Sequence, residues 1–264
     1  MYNFEYHKPA SVADAAALLA KADDGKLMAG GMTLLPTLKQ RLAQPSDLID
    51  LGGVAGLAGI RRDGNAVVIG AMTTHGAVAA SAEVKQAIPA LAALAGMIGD
   101  PQVRNRGTIG GSICNNDPAA DYPGALVALG ATVTTNKRTI AADDFFTGMF
   151  ETALDEGEIV QSVSFPVPEK AAYEKFRNPA SRYAIVGAFV AKGPAGVRVA
   201  ITGAGPTVFR WKAAETALAG NFSAAAVEGL KHPADGLNGD IHASPEYRAH
   251  LVGVMTKRAA AAAA

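Results

Sequence analysis

A pair of glycines flanked by hydroxyl-bearing residues carries the most specific chemistry in this sequence. Gly110-Gly111 lies between Thr108 and Ser112. Neither glycine has a Cβ, so the backbone is free to approach a ligand closely. Successive N–H groups in such a turn form an anion-binding nest, and the hydroxyls add further donors. The segment therefore predicts a cradle for a phosphate-containing ligand, with a purely structural turn as the alternative.

An acidic residue follows this pair at a useful spacing. Asp117-Pro118 is predicted to begin a helix, with Asp117 as the N-cap and proline at the first helical position. Asp121 then falls one turn into that helix, pointing back toward the glycines. We expect its carboxylate to accept hydrogen bonds from hydroxyls of the ligand. The whole segment 104–121 is predicted to be largely irregular backbone between two apolar helices, which in a compact domain indicates function.

A second glycine pair occurs earlier in the chain. Gly30-Gly31 follows a short predicted strand over 26–29 and precedes leucines at helical spacing. Free N–H groups at the start of a helix favour an anion. The three spaced glycines of the dinucleotide fingerprint are absent, so the sequence does not support a Rossmann fold.

The elements around these glycines predict a mixed α and β protein. Strands are predicted over 47–51, 60–71 as a hairpin, 131–141 as a second hairpin and 159–167, and helices are predicted to begin at Ser11, Pro89 and Pro118. After a boundary near Pro168, three strands are followed by helices, one of them carrying Trp211. The alanines from Ala259 onward are expected to fray.

The amino-acid composition of the chain argues against several classes of function. The 264 residues have a formal net charge of zero and 18% charged residues, which favours neither nucleic acid nor an acidic membrane surface. No apolar run is long enough to span a bilayer, and the start lacks a signal-peptide pattern. We therefore expect a cytoplasmic protein, with a peripheral position at the inner membrane face as the alternative. The single cysteine excludes an internal disulfide and a cysteine-ligated zinc or iron–sulfur site within this chain.

Both glycine segments resemble the motifs of one family. The sequence AGGMTLLP over 29–36 resembles the first FAD-pyrophosphate motif of the medium (flavoprotein) subunit of molybdenum hydroxylases, and RNRGTIGGS over 104–112 with DPAAD over 117–121 resembles the second. The similarity is greatest to the medium subunits of aerobic carbon monoxide dehydrogenases, within the xanthine dehydrogenase FAD-domain superfamily. Segment 199–207 and the Trp211 helix are similar to the C-terminal domain of those subunits. The resemblance thus covers nearly the whole chain.

This resemblance implies a fold and a set of partners. The fold class would be α+β, with a two-part FAD-binding domain of the vanillyl-alcohol oxidase (PCMH) type over 1–168, divided roughly into 1–55 and 56–168, and a small α+β domain over 169–264. FAD would be bound without a covalent link. A large subunit would carry the molybdenum-pterin cofactor and a small subunit two 2Fe–2S clusters, in a dimer of heterotrimers (a heterohexamer). The chain would pass electrons from those clusters through FAD to an external acceptor, namely quinone, dioxygen or nicotinamide.

The resemblance also implies site residues, none of them catalytic or metal-binding. The pyrophosphate loops would use backbone N–H groups and hydroxyls, Asp121 would lie toward the ribityl or ring end, and Arg177 would supply a basic group near the flavin. Met32 stands where relatives often carry a polar residue, so its contact would come from its N–H. The full set is Ala29, Gly30, Gly31, Met32, Thr33, Leu34, Thr108, Ile109, Gly110, Gly111, Ser112, Cys114, Asp121, Val160, Arg177 and Tyr183.

Other residues have a structural and a functional interpretation. His75 is expected to be a cap or surface residue rather than a cofactor contact. Cys114 is expected to be a small buried hydrophobe rather than a redox group. Arg104 and Arg106 are either surface charges or contacts to the cofactor or a subunit. Trp211 is expected in the core or an interface rather than stacked on a flavin.

Two other functions stay open from the sequence. A self-contained FAD-dependent oxidoreductase of the same superfamily would need proton donors over the flavin, and none is evident. A scaffold that has lost FAD is disfavoured by the presence of both glycine pairs and Asp121. Carbon monoxide, a purine, an aldehyde and an N-heterocycle are all candidate substrates of the complex, because the molybdenum pocket would lie on another chain.

Overall fold

The computed structural model describes residues 1–263, which contain four sheets surrounded by helices. The strands are β1 (Glu5–His7), β2 (Gly25–Met28), β3 (Asp47–Asp50), β4 (Ile60–Asp63), β5 (Ala66–Gly70), β6 (Thr132–Thr135), β7 (Thr139–Ala141), β8 (Phe146–Gly148), β9 (Glu151–Thr152), β10 (Val160–Pro166), β11 (Lys170–Arg177), β12 (Ala184–Gly193), β13 (Gly196–Thr202) and β14 (Phe209–Arg210). The helices are α1 (Val12–Leu19), α2 (Leu34–Lys39), α3 (His75–Ala80), α4 (Ala82–Ala87), α5 (Pro89–Gly96), α6 (Pro101–Arg106), α7 (Ile109–Asn115), α8 (Tyr122–Leu129), α9 (Ala142–Phe145), α10 (Lys212–Gly220) and α11 (Pro245–Ala263). Short 3-10 helices cover Leu51–Gly53 and Ala224–Val227.

The first sheet is parallel and has the order β1-β3-β2. Helix α1 begins as predicted, since the Ser11 hydroxyl accepts a hydrogen bond from the Asp14 N–H at 3.1 Å. The helix packs on the sheet through Ala15 and Ile49, both fully buried. The glycine pair follows the end of β2, an edge strand, after one residue, and so lies at the carboxyl end of this sheet.

The second sheet is antiparallel and has the order β4-β5-β10-β6-β7. Its central strand, β10, is the last of the five in the chain. Val163 of β10 pairs with Ile69 on one side and with Val133 on the other, and all three side chains are fully buried. The sheet is therefore complete only when β10, the last of its strands in the sequence, pairs between β5 and β6.

The segment 104–121, predicted to be largely irregular, is mostly helical. Helix α6 ends at Arg106 and α7 follows after two residues. Asp100 caps α6 through a 2.9 Å bond from the Val103 N–H, and Thr108 caps α7. Glycines cost about 1 kcal/mol each in a helix interior, so sequence alone disfavours α7. Tertiary packing of this helix against α8, β9 and β10 outweighs that cost.

Helix α8 begins at Tyr122 and not at Pro118 as predicted. The Asp117 side chain accepts a hydrogen bond from the Ala119 N–H at 2.8 Å, which forms a local turn in place of a helix start. Asp121 thus occupies the N-cap position, but its side chain makes no capping bond. Its carboxylate is left for other partners.

The third sheet is antiparallel, in the order β11-β12-β13-β14, and it lies in the C-terminal part of the chain. Helix α8 packs on one face and helices α10 and α11 on the other. All eight residues of α8 are buried, which explains its uniformly apolar sequence. The predicted boundary near Pro168 lies in the connection between β10 and β11.

Residues 259–263 are helical, contrary to the prediction that the alanines from Ala259 onward fray, and Ala264 lies outside the described residues. Helix α11 continues to Ala263, and Ala259 and Ala260 are fully buried. They belong to the core that contains Val186 and Val190 of β12. Small side chains let the helix approach this sheet closely. Over residues 1–263, no helix combines the length and apolarity that crossing a bilayer requires.

Candidate functional site

A cavity of about 530 Å³ lies where the two glycine segments meet. Its wall is formed by the loop after β2, by α6 and α7 with the turn that follows, and by the start of β10. The connection between β11 and β12 adds Ser181, Arg182 and Tyr183. The volume is in the range of small-molecule sites. The C-terminal part of the chain therefore completes a site built mainly by the preceding part.

The two glycine segments are in direct contact. A Cβ on Gly30 would collide with the carbonyl group of Arg106 and would lie 2.9 Å from the Cα of Gly107. Gly31 has φ +70°, a conformation that side chains rarely adopt. The first glycine pair is thus required both for the close approach of the second segment and for the turn itself.

The loop after β2 holds a run of unbonded amides. Within residues 1–263, the N–H groups of residues 30–34 donate to no protein acceptor, and the first bond of α2 runs from Leu35 N to Gly31 O at 3.0 Å. Unbonded N–H groups beside a cavity need a partner. Such a concave run of amides suits the oxygens of a phosphate or diphosphate. Met32 is 38% exposed and offers only its N–H, as expected from its side chain.

The amides of the second glycine pair are not free, so the predicted nest at Gly110-Gly111 is wrong. The Ile109 and Gly110 N–H groups donate to Thr73 O and Ala71 O at 3.1 and 2.8 Å. The Gly111 N–H donates to Thr108 Oγ1 at 3.0 Å. These bonds form because the segment is a capped helix. The amides for an anion therefore come from the first loop, and the second segment supplies the wall and its hydroxyls.

The reason for glycine also differs between the two positions. A Cβ on Gly110 would lie 2.7 Å from both the Cβ and the carbonyl oxygen of Ala71. Gly110 therefore allows α7 to pack on the end of β5, and the prediction that it makes room for a ligand is wrong. A Cβ on Gly111 would meet Thr108 Oγ1 at 3.0 Å and the Ala29 Cβ at 3.4 Å. That position faces the first loop.

Asp121 is buried and already paired, unlike the free carboxylate that the sequence predicts. Its Oδ1 accepts a hydrogen bond from the Tyr173 hydroxyl at 2.5 Å and lies 3.0 Å from Lys175 Nζ, which also donates to Oδ2 at 3.1 Å. Burial raises the pKa of the Asp121 carboxyl, and the Lys175 ammonium counteracts that effect. A carboxylate has about four acceptor positions. Hydrogen bonds from Tyr173 and Lys175 use two of them, so an acceptor position remains for a further bond.

The structure places most of the predicted site residues on one cavity, and their contacts to FAD stay predictions. Those that line it are Ala29, Gly30, Gly31, Met32, Thr33, Leu34, Thr108, Gly110, Gly111, Ser112, Cys114, Asp121, Val160 and Tyr183. Ile109 does not line it, because its side chain is fully buried in the core and its N–H is bonded to Thr73. Ile109 was included because it lies within the segment that resembles the second FAD motif.

Arg177 does not line the cavity, and its place near the flavin stays a prediction. It ends β11 with an exposed side chain, just after a register shift between Phe176 and Arg177. Arg182, which no sequence motif marks, lines the cavity from the following turn, and its guanidinium lies 3.4 Å from the Gly99 carbonyl oxygen. Its φ of +64° marks a turn that sequence did not reveal.

His75 is a buried wall residue, not a cap or surface residue. Thr74 caps α3, and the His75 side chain is 4% exposed beside the cavity. Burial and the Arg104 guanidinium lower its pKa to about 4, so the ring is neutral. Among the described residues, its Nδ1 has no hydrogen-bond partner. Its ring centroid lies 5.4 Å from that of Tyr122.

Three further residues had both a structural and a functional interpretation, and the structure shows the surroundings of each. Cys114 is exposed at the cavity wall, so the expectation of a buried hydrophobe is wrong. The protein packed around its thiol raises its pKa to about 12, so the thiol is protonated and poorly suited to redox chemistry. Arg104 donates to the carbonyls of Ile98 and Gly99, both at 3.0 Å, which holds the turn between α5 and α6. Trp211 is 5% exposed and packs in the C-terminal core, as predicted.

Comparison with known proteins covers the chain almost completely. The FAD binding domain in molybdopterin dehydrogenase matches residues 2–168, and the CO dehydrogenase flavoprotein C-terminal domain matches residues 171–263. The carbon monoxide dehydrogenase medium chain of Hydrogenophaga pseudoflava is 39% identical, over 98% of this chain and 96% of its own. The nicotine 6-hydroxylase medium subunit of Paenarthrobacter nicotinovorans is 38% identical, over 96% and 94%.

A solved structure gives the same result. Carbon monoxide dehydrogenase from Hydrogenophaga pseudoflava, in a form that lacks the molybdopyranopterin moiety, superimposes with a TM-score of 0.90, covering 99% of this chain and 97% of the other. Fold and cavity therefore define a flavin-binding subunit of an oxidoreductase. The chain belongs to the FAD-binding medium subunits of the molybdenum hydroxylases. The family and the α+β fold class expected from the glycine motifs are confirmed.

Proposed function

We propose that this chain carries electrons from iron–sulfur clusters of a partner subunit, through FAD bound in the cavity, to an external acceptor. The unbonded amides of residues 30–34 beside the cavity are the observation that supports this proposal most directly. When bound, FAD supplies the redox chemistry, and the protein supplies binding and electrostatics. The family membership of both parts of the chain supports the same assignment.

The residues of the cavity divide into three roles in this proposal. The amides of residues 30–34 donate to the diphosphate oxygens, and the hydroxyls of Thr108 and Ser112 add donors beside them. Asp121 accepts one hydrogen bond through its remaining acceptor position. Val160, Cys114 and Tyr183 form the less polar wall. The chain then acts as two domains, 1–168 for FAD and 169–264 for completing the site.

We further propose the assembly that the family suggests. A large subunit holds the molybdenum-pterin cofactor and a small subunit holds two 2Fe–2S clusters, in a dimer of heterotrimers in the cytoplasm. The acceptor is quinone, dioxygen or nicotinamide. Relatives named for carbon monoxide and for nicotine are 39% and 38% identical to this chain. Since these values hardly differ, substrate choice is assigned to the large subunit.

The test compares the isolated chain with the complete complex. The isolated chain should bind one FAD that acid precipitation leaves in the supernatant, and it should lack iron–sulfur absorbance. Substrate should reduce the flavin in the complex but not in the isolated chain. Direct reduction of the isolated FAD-bound chain by a small organic substrate would instead support the self-contained oxidoreductase.

A further inference from the structure

One lysine of the C-terminal sheet connects that sheet to two segments of the FAD-binding part. Lys175 lies on β11, and its side chain is 1% exposed. Its Nζ contacts both carboxylate oxygens of Asp121, at 3.0 and 3.1 Å, and donates to the Met97 carbonyl oxygen at 3.2 Å. Asp121 precedes α8 and Met97 ends α5. A single ammonium therefore joins three elements beside the cavity.

The C-terminal sheet is shaped to reach Asp121. A Cβ on Gly187 of β12 would collide with the Tyr173 hydroxyl, so glycine there leaves the space in which this hydroxyl donates to Asp121. The end of β13 binds the turn before Asp121 as well. Thr202 Oγ1 donates to the Ala120 carbonyl at 2.5 Å, and the Gly203 N–H donates to the Pro118 carbonyl at 2.8 Å. Asp121 is thus held by β11 and its backbone by β13.

We propose that Lys175 is a positioning residue of the FAD site, which neutralises the Asp121 carboxylate and fixes it at the cavity wall. This inference rests on the proposed binding of FAD in that cavity. A buried carboxylate without a counter-ion is strongly disfavoured, and the ammonium together with the Tyr173 hydroxyl removes that penalty. The C-terminal domain then determines the charge that the flavin experiences, although most of the wall belongs to the preceding domain.

The proposal predicts opposite effects of removing either charge. In alkaline solution, where Asp121 stays ionised even without its counter-ion, Lys175→Gln leaves a net negative charge beside the cavity, which disfavours electron uptake by FAD. Asp121→Asn leaves a net positive charge, which favours it. The double variant is neutral, like the wild-type pair. A purely structural role would not produce shifts of opposite sign.

The experiment is a redox titration of the FAD-loaded protein at a series of pH values from neutral to alkaline, and the variants are compared with wild type at each pH. We expect a more negative flavin potential for Lys175→Gln, a more positive one for Asp121→Asn, and a value close to wild type for the double variant. Lys175→Arg keeps the charge and should also stay close to wild type. The dissociation constant of FAD should rise about tenfold in Lys175→Gln, because Asp121 is no longer fixed.

Two controls separate this effect from general disturbance of the sheet. Lys192→Gln removes an exposed partner of Glu169 on the same sheet and should leave the potential unchanged. Tyr173→Phe removes one hydrogen bond but no charge, so it should shift the potential less than Lys175→Gln. Should Lys175→Gln fail to fold, Asp121→Asn and Lys175→Arg still test the sign and the rescue.

The outcomes also separate this inference from the function on which it rests. Wild-type protein that binds no FAD would overturn the proposed function, and this inference with it. Wild-type protein that binds FAD, with single variants that shift the potential in the same direction or not at all, would overturn the role of Lys175 alone.

Discussion

Gly30 packs directly against the carbonyl group of Arg106, with no space for a side chain between them. The two residues belong to the two glycine motifs, so the motifs form one wall of the cavity together. A binding site for a long cofactor is thereby made from two segments that are far apart in sequence. Each motif is needed for the position of the other as well as for its own contacts.

Gly30→Ala tests this contact. The added methyl group would collide with backbone rather than with a flexible side chain, so the first loop must shift. We expect FAD affinity to fall by more than tenfold, together with a lower melting temperature, measured by flavin absorbance and thermal unfolding. Gly220→Ala is the matched control, because no atom lies near the added group there. Full FAD occupancy in Gly30→Ala would contradict the role of this contact.

The two glycines of the second pair should respond differently to alanine. Gly110→Ala places a methyl group 2.7 Å from Ala71, and such overpacking costs about 1–3 kcal/mol. Gly111→Ala meets looser surroundings and gains about 1 kcal/mol of helix propensity, so its stability should change little. Urea unfolding of both FAD-free variants measures the difference. Equal destabilisation of the two variants would show that α7 does not pack as described.

The burial of His75 should make the folded protein less stable in mildly acidic solution. Its pKa falls from 6.5 to about 4 on folding, so below pH 6.5 the unfolded chain binds a proton that the folded chain does not. The free energy of unfolding should therefore decrease as pH falls from 6.5 to 4, by about 3 kcal/mol in total. The His75→Gln variant should lack the part of this decrease that comes from His75. The part that comes from carboxyl groups is common to both proteins and should persist. Unfolding curves at several pH values give the difference, and parallel pH dependences would refute the burial of a neutral ring.

Cys114 should react slowly despite facing the cavity. Since its pKa is raised from 9.0 to about 12, the thiolate is scarce in neutral solution, and the thiolate is the reactive form. Alkylation of the FAD-free folded chain by iodoacetamide should accelerate about tenfold per pH unit from pH 8 to 10. The denatured chain, in which the thiol is solvated, should level off near pH 9. A plateau near pH 9 in the folded chain would show that the surrounding protein does not raise the pKa of this thiol.

Local patterns predicted much of the fold, because they depend on neighbouring residues. Val197, Val199 and Ile201 alternate with other residues along β13, and the Ser11 cap fixes the start of α1. Helix α7 was missed, because its glycines oppose helix formation and the packing on Ala71 that compensates is not visible in the sequence. The motif residues of the cavity were found because they are contiguous.

The pairing of Asp121 was not predictable in the same way. Lys175 is 54 residues away on β11, and no local pattern encodes the packing of α8 on the C-terminal sheet that brings the two residues together. That Arg182 lines the cavity and Arg177 does not has a similar cause. A register shift at the end of β11 and a left-handed residue in the following turn decide which arginine faces the cavity. Both are properties of the assembled sheet.

The central position of β10 has a consequence for the order in which the protein is made. Val160 begins this strand beside the cavity, and its neighbour Val163 pairs with Ile69 and Val133, both synthesised much earlier. Until β10 leaves the ribosome, β5 and β6 each lack their shared partner and expose an open edge. The cofactor site therefore assembles late in translation, and a chain that stops before β10 presents two unpaired strand edges that are prone to aggregation.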